Sequence, residues 1–157
     1  MIHARHTTDE RPDSRRRLGL SLPMIILLAA IAAVRVPLHD LGIVEEGSAA
    51  AWLLVFVPLA VWVVVVLERR VPNPFLALLA VGLAYGVMLA GIHQVFWGAA
   101  FGGDPPSLGG NLEGVLAPGL EALILRAASI PSSIVTGVVL GAVAGAVAWA
   151  IRHLRRA

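Results

Sequence analysis

The sequence predicts an all-α integral membrane protein of four transmembrane helices, with both termini cytoplasmic and a short interfacial helical element between helices three and four. Three observations carry that prediction. The 157-residue chain is 58% hydrophobic and 14% charged, with a mean hydropathy of +0.84, against about 45–50% apolar usage in soluble domains. Its apolar residues gather into four runs, each long enough to cross a hydrocarbon layer of about 30 Å. Its twelve cationic side chains are all arginine, and ten of them sit in three short segments flanking those runs.

Residues 1–17 are polar and Arg-rich and lack a hydrophobic period, which predicts a disordered basic tail ending in the Arg15-Arg16-Arg17 anchor. Residues 18–157 then make one transmembrane domain, with spans at about 18–37, 48–67, 75–97 and 126–151. Leu18–Val34 holds no charge, and Arg35 at its end can snorkel outward. The same run, with Ala30-Ile31-Ala32, also fits a cleavable signal peptide, although its basic segment is long and its apolar run overshoots a signal core. Residues 38–47 read as a short acidic loop holding His39, Asp40, Glu45 and Glu46.

Ser48 is suited to cap the second span, and Pro58 predicts a kink at mid-depth because its ring removes a backbone hydrogen bond. The Val61–Val66 end has no small-residue seam and is expected to face lipid or the side of the bundle. After Glu68-Arg69-Arg70, Pro72 and Pro74 block helix continuation and force a tight turn into the third span, from about Phe75 to Trp97. Turns follow at Gly102–Pro106 and Gly109-Gly110. Asn111–Leu125 is apolar but broken by Pro118-Gly119, so short helices along the interface or a shallow re-entrant element are expected there. The last helix passes Arg126, bends near Pro131 and ends at Arg152, His153, Arg155 and Arg156.

Orientation follows from charge. Placing the N-terminal tail, the 68–74 turn and the C-terminal tail inside leaves ten arginines inside and two outside, with four acids inside and six outside. The positive-inside rule then sets both termini in the cytoplasm of a bacterial-type plasma membrane.

Ser133, Gly137, Gly141 and Gly145 recur every four residues, and Gly82, Gly86 and Ala90 share that spacing. Such ladders put small residues on one helix face, where a second backbone can lie close, the glycine-zipper arrangement. Equal depth in antiparallel spans predicts Gly82 opposite Gly145, Gly86 opposite Gly141 and Ala90 opposite Gly137. A seam between two copies of the chain is the alternative.

Polar groups inside apolar spans are costly and point to function or to specific packing. Here they gather toward one end: Arg35, His93, Gln94 and Arg126, with loop carboxylates nearby, could assemble an outward-facing vestibule. Arg35 and Arg126 serve either as interfacial anchors or as an anion clamp, and His93 as a packing residue or a proton relay. Deeper in, Tyr85 is expected to hydrogen-bond Ser132, Ser133 or Thr136. His39, His93 and the carboxylates have metal-ligand chemistry but no ligand spacing, so neither metal nor cofactor is expected. The absence of Cys excludes thiolate sites. No phosphate-cradling Gly-Lys loop, nucleophile elbow or intramembrane carboxylate pair is present, so an enzyme is not expected. The arginine distribution is that of a membrane protein rather than of a nucleic-acid groove. The expected partners are the lipid bilayer and other membrane proteins or a second copy. Function is expected to be that of a non-catalytic accessory, assembly or scaffold subunit; the alternative is a small oligomeric transporter or channel whose pocket surrounds Arg35, His93 and Arg126.

Overall fold

Five α-helices arise from the apolar runs: α1 Leu22–Ala33, α2 Arg35–Asp40, α3 Ala49–Glu68, α4 Pro74–Ala100 and α5 Pro118–Leu154. The computed structural model describes residues 18–45, 47–101 and 106–156; no strand occurs among them. The predicted basic tail at 1–17, Glu46 and the turn residues 102–105 lie outside the described residues. α1 and α2 follow one another as a single rod, Leu22–Asp40, so four rods are long and apolar enough to cross a membrane.

The first rod departs from expectation at both ends. It starts at Leu22 with Pro23 in its first turn, not at Leu18. Its helical hydrogen bonding is interrupted at Val34 because Pro37 offers no N–H to the Ala33 carbonyl and its ring crowds it. Beyond that interruption the chain is still helical, so His39 and Asp40, expected in a loop, lie on α2.

Ser48 caps α3, its hydroxyl accepting from the Ala51 N–H at 3.2 Å. Asn73 does the same for α4, accepting from Leu76 N–H at 3.0 Å, with Pro74 at the first helical position where its missing N–H costs nothing. The same rule corrects the reading of Pro118-Gly119. Rather than breaking an interfacial element, Pro118 opens α5, and residues 118–125 are its first two turns. Among the described residues a single 3₁₀ turn, Gly110–Leu112, stands between α4 and α5.

Helix α4 is central, touching each of the other rods, and its contact with α5 is by far the most extensive. That contact is backbone on backbone. A Cβ placed on Gly82 would stand 2.6 Å from the Gly141 Cα and overlap the Gly137 carbonyl; one on Gly137 would stand 2.5 Å from the Gly86 Cα. Gly86 lies against Ile134 and Ser133, and Gly145 against Phe75. The register is therefore offset from the equal-depth expectation: Gly82 sits between Gly137 and Gly141, not opposite Gly145. Counting inward from the polar helix ends misses the offset because Arg152 is not a free end. Its Nη1 donates to the carbonyls of Val71 (2.7 Å) and Pro72 (2.8 Å), drawing the end of α5 along the α3–α4 turn.

The Val-rich end of α3 is also corrected. Val64 is exposed, but Trp62 and Val66 are fully buried, because one face of this end turns inward. Trp62 Nε1 donates to the Leu28 carbonyl of α1 at 2.7 Å, and its ring meets Tyr85 of α4 edge-on, centroids 6.1 Å apart. With Leu78, Val81, Ala77 and Ala148, this residue fills a wholly apolar core toward the end of the bundle that carries the 68–73 turn, hereafter the tail end. The outward faces carry large bare apolar side chains such as Leu27, Phe56, Val87 and Val143, a surface that suits hydrocarbon rather than water.

Two outcomes are expected in detergent-solubilised protein. Gly137→Ala drives a methyl into the α4 backbone and lowers stability by about 1–3 kcal/mol or more. Gly91→Ala, where a Cβ meets nothing within 4 Å, leaves stability unchanged or raises it by up to about 1 kcal/mol. Thermal unfolding of both variants checks this; equal losses would remove the seam as a determinant of the fold. By the same measurement Trp62→Phe costs about 0.6–2 kcal/mol, through loss of a cross-helix hydrogen bond.

Candidate functional site

At the opposite end, where α2 leaves the bundle and α4 and α5 are joined by the long connection, helices α2, α4 and α5 enclose a half-open cavity of about 540 Å³. This is the loop end. The α2 wall carries Arg35, His39 and Asp40; α4 contributes Tyr85, His93 and Trp97; α5 contributes Ser129, Ser132, Ser133 and Thr136. From Tyr85 to Ala100 the α4 wall rises about 22 Å at 1.5 Å per residue, so the cavity runs from the middle of the bundle to its rim.

Pro37 is what creates the α2 wall. It breaks the rod at Val34, and because a proline is tolerated in a first turn the new helix α2 runs on past it, stacking Arg35 and His39, four residues apart, on neighbouring turns beside the cavity. His39 Nδ1 lies 3.5 Å from Asp40 Oδ1, and Asp40 is itself buried. Its second oxygen, Oδ2, and the Nε of Arg35 are both buried without a hydrogen-bond partner. Buried polar atoms in that condition cost free energy until something pairs with them.

His93 reaches toward α5, its Nδ1 3.4 Å from the Ser133 hydroxyl, which donates to the Ser129 carbonyl at 2.8 Å. The expected bond from Tyr85 to a serine or threonine is not made. Ser133 and Thr136 turn their hydroxyls back to carbonyls of their own helix, Thr136 to Ser132 at 2.9 Å, and Tyr85 packs on Trp62 instead. Tyr85 is the floor of the cavity, with Trp62 packed behind it. Below it every fully buried side chain among the described residues is apolar.

Of the four residues singled out from sequence, Arg35 and His93 share the cavity. Gln94 and Arg126 do not line it. They form the lock that holds α4 to α5 just outside its wall: Arg126 Nη2 donates to the Gln94 carbonyl (2.9 Å), while Gln94 Nε2 donates to the Arg126 carbonyl (3.1 Å) and to Ser129 Oγ (2.9 Å). The Arg126 guanidinium also sits 5.5 Å from the ring centre of Trp97, a cation–π distance, and its Nε is buried without a partner. A two-arginine clamp across the cavity is therefore not formed. Pro131 fits here as well. The turn it loosens is the one in which the Arg126 carbonyl accepts from Ser129 Oγ (2.8 Å) as well as from Gln94. Glu121 secures the connection, its carboxylate accepting from the Leu108 N–H.

Ser129 and Trp97 are site residues that the sequence reading did not single out, and Asp40, expected among the loop carboxylates, reaches the site from α2. Ser129 had a signal: the four-residue ladder of Ser133, Gly137, Gly141 and Gly145 extends back to it. Among the described residues no group of three or more His, Asp or Glu is arranged to hold a metal ion. Compared with known proteins, the chain matches no family model, no curated protein and no solved structure.

Arg126→Met removes the lock and lowers the unfolding temperature, by the equivalent of about 1–2 kcal/mol. Arg35→Gln, which removes a buried unpaired donor, leaves that temperature unchanged or raises it. Thermal scans of the two variants side by side check this division between a structural and a ligand-facing arginine.

Proposed function

We propose that this chain is a four-span integral membrane protein of a bacterial-type plasma membrane, with both termini cytoplasmic, acting as a non-catalytic subunit that receives a polar group of a membrane partner in its outward-facing vestibule. The observation that carries this reading is the cavity that ends blindly on Tyr85, with Arg35 Nε and Asp40 Oδ2 buried and unpaired in residues of its wall. A donor and an acceptor left unpaired suit an occupant bearing both kinds of group, such as the polar side chains or a terminus of a neighbouring protein. The blind end argues for holding rather than passing. The ten-to-two arginine distribution supports the orientation. In this reading the glycine zipper between α4 and α5 is the rigid spine against which the vestibule is built.

A second reading, a small oligomeric transporter or channel, draws support from one observation: Arg35 and His93 line a common cavity. It requires a route past Trp62 and Tyr85, which a single copy lacks.

The deciding measurement is the mass of the native particle extracted in mild detergent, with co-purifying proteins identified. A fixed set of other membrane proteins, lost from the particle on Arg35→Gln, is the expected result. A particle made of this chain alone, as a dimer or larger ring, would replace the subunit reading with the transporter reading.

A further inference from the structure

We infer that a second site, at the tail end, binds the phosphate headgroup of an anionic phospholipid. A cavity of about 450 Å³ lies where the last turn of α5 meets the α3–α4 turn. Its rim is Arg70, Arg152, Arg155 and Arg156, its floor is apolar, with Val66 and Leu67 from α3, and among the described residues no carboxylate lines it.

These four guanidinium groups are brought together from residues about eighty positions apart by two local devices. Arg152 is tied by its Nη1 to the carbonyls of Val71 and Pro72, which fixes the end of α5 over the turn. Arg70 adopts φ 50, a left-handed conformation that a residue with a Cβ takes only against resistance, and it is the only non-glycine residue with positive φ among those described. The turn is thus held in a strained shape that places Arg70 at the rim. Arg70, Arg155 and Arg156 are exposed, and no ion pair joins them to a carboxylate among the described residues. Crowded like charges repel, and an anion seated among them relieves that repulsion. Guanidinium forks match the paired oxygens of a phosphate.

A free phosphate ion would use the rim and ignore the floor. A phospholipid uses both, because its glycerol and first methylenes follow the phosphate down onto Leu67, the half-buried residue of that floor. The site also lies where the apolar faces of α3 and α5 end, the level at which headgroups sit beside a membrane-crossing helix. The inference rests on membrane insertion but on neither the sidedness nor the function proposed above.

The test uses the full chain in a non-ionic detergent at low salt, with phosphatidylglycerol, phosphatidylcholine or inorganic phosphate added at matched concentration. Unfolding temperature and lipid adducts in native mass spectra are read. Phosphatidylglycerol is expected to raise the unfolding temperature and to remain as a discrete adduct, with both effects weakened by salt. R70Q/R155Q/R156Q should weaken its binding by at least about tenfold while the lipid-free protein melts as before. Equal effects of the two lipids, or an unchanged response of the triple variant, would overturn the inference. So would inorganic phosphate matching phosphatidylglycerol, which would make this a free-anion site. Should the triple variant fail to fold, adducts on the unaltered chain decide: phosphatidylglycerol retained over phosphatidylcholine supports the site, and no preference overturns it.

Discussion

The structure depends on the approach of the α4 and α5 backbones at Gly82, Gly86, Gly137 and Gly141. In the membrane setting proposed above no hydrophobic force draws two apolar helices together, and their association comes from van der Waals contact and from the few polar bonds that cross between them. Glycine maximises the first by removing the side chain from the interface. The second is supplied at both ends of the same helix pair, by Gln94 and Arg126 at the loop end and by Arg152 on the α3–α4 turn at the tail end. A pair gripped along its length and bolted at each end has one register, and everything else is hung on it.

The other rods are placed by α4. Trp62 shows how: its ring rests against Tyr85 of α4 while its N–H reaches the Leu28 carbonyl of α1, so one side chain joins three helices. The first rod is thus part of the core. Cleavage after Ala32 would carry away Leu28 and Ala29, both buried, and leave the indole N–H without its acceptor. This physical cost weighs against the signal-peptide alternative more directly than the length of its basic segment does.

Four apolar rods and a four-residue ladder of small side chains are legible in the sequence because composition and period are local properties. Register is not local. The observed register departs from equal depth because Arg152, at the polar end of the last helix, fastens α5 to the turn, a contact that no local pattern signals. Proline was read too simply for a related reason. The first span is expected to end at about Pro37 and Pro118-Gly119 to break an interfacial segment, whereas a proline at a first-turn position starts a helix, and a proline after a helix can interrupt its hydrogen bonds without turning the chain. The site was half legible. Unusual polar residues in apolar runs flagged Arg35, His93, Gln94 and Arg126, but which of them face a cavity and which face each other depends on rotations about α4 that no pattern in one helix reveals.

The division between those two pairs follows from bond supply. Arg126 lies beside a turn loosened by Pro131 and across from Gln94, so carbonyls and amide donors are within reach on two helices, and it is consumed by structure. Arg35 lies just past the interruption that Pro37 imposes, on a short helix that borders the cavity. No comparable partner reaches its Nε or the Oδ2 of Asp40. Both atoms belong to residues of the cavity wall, and an occupant of the cavity is the partner proposed for them. At the tail end the same logic applies with opposite geometry. There Arg152 is consumed by the turn, and in being consumed it gathers Arg70, Arg155 and Arg156 around an apolar floor with no acid among them. At each end a bonded arginine, Arg126 or Arg152, fixes the helix ends beside which the arginines without such bonds stand.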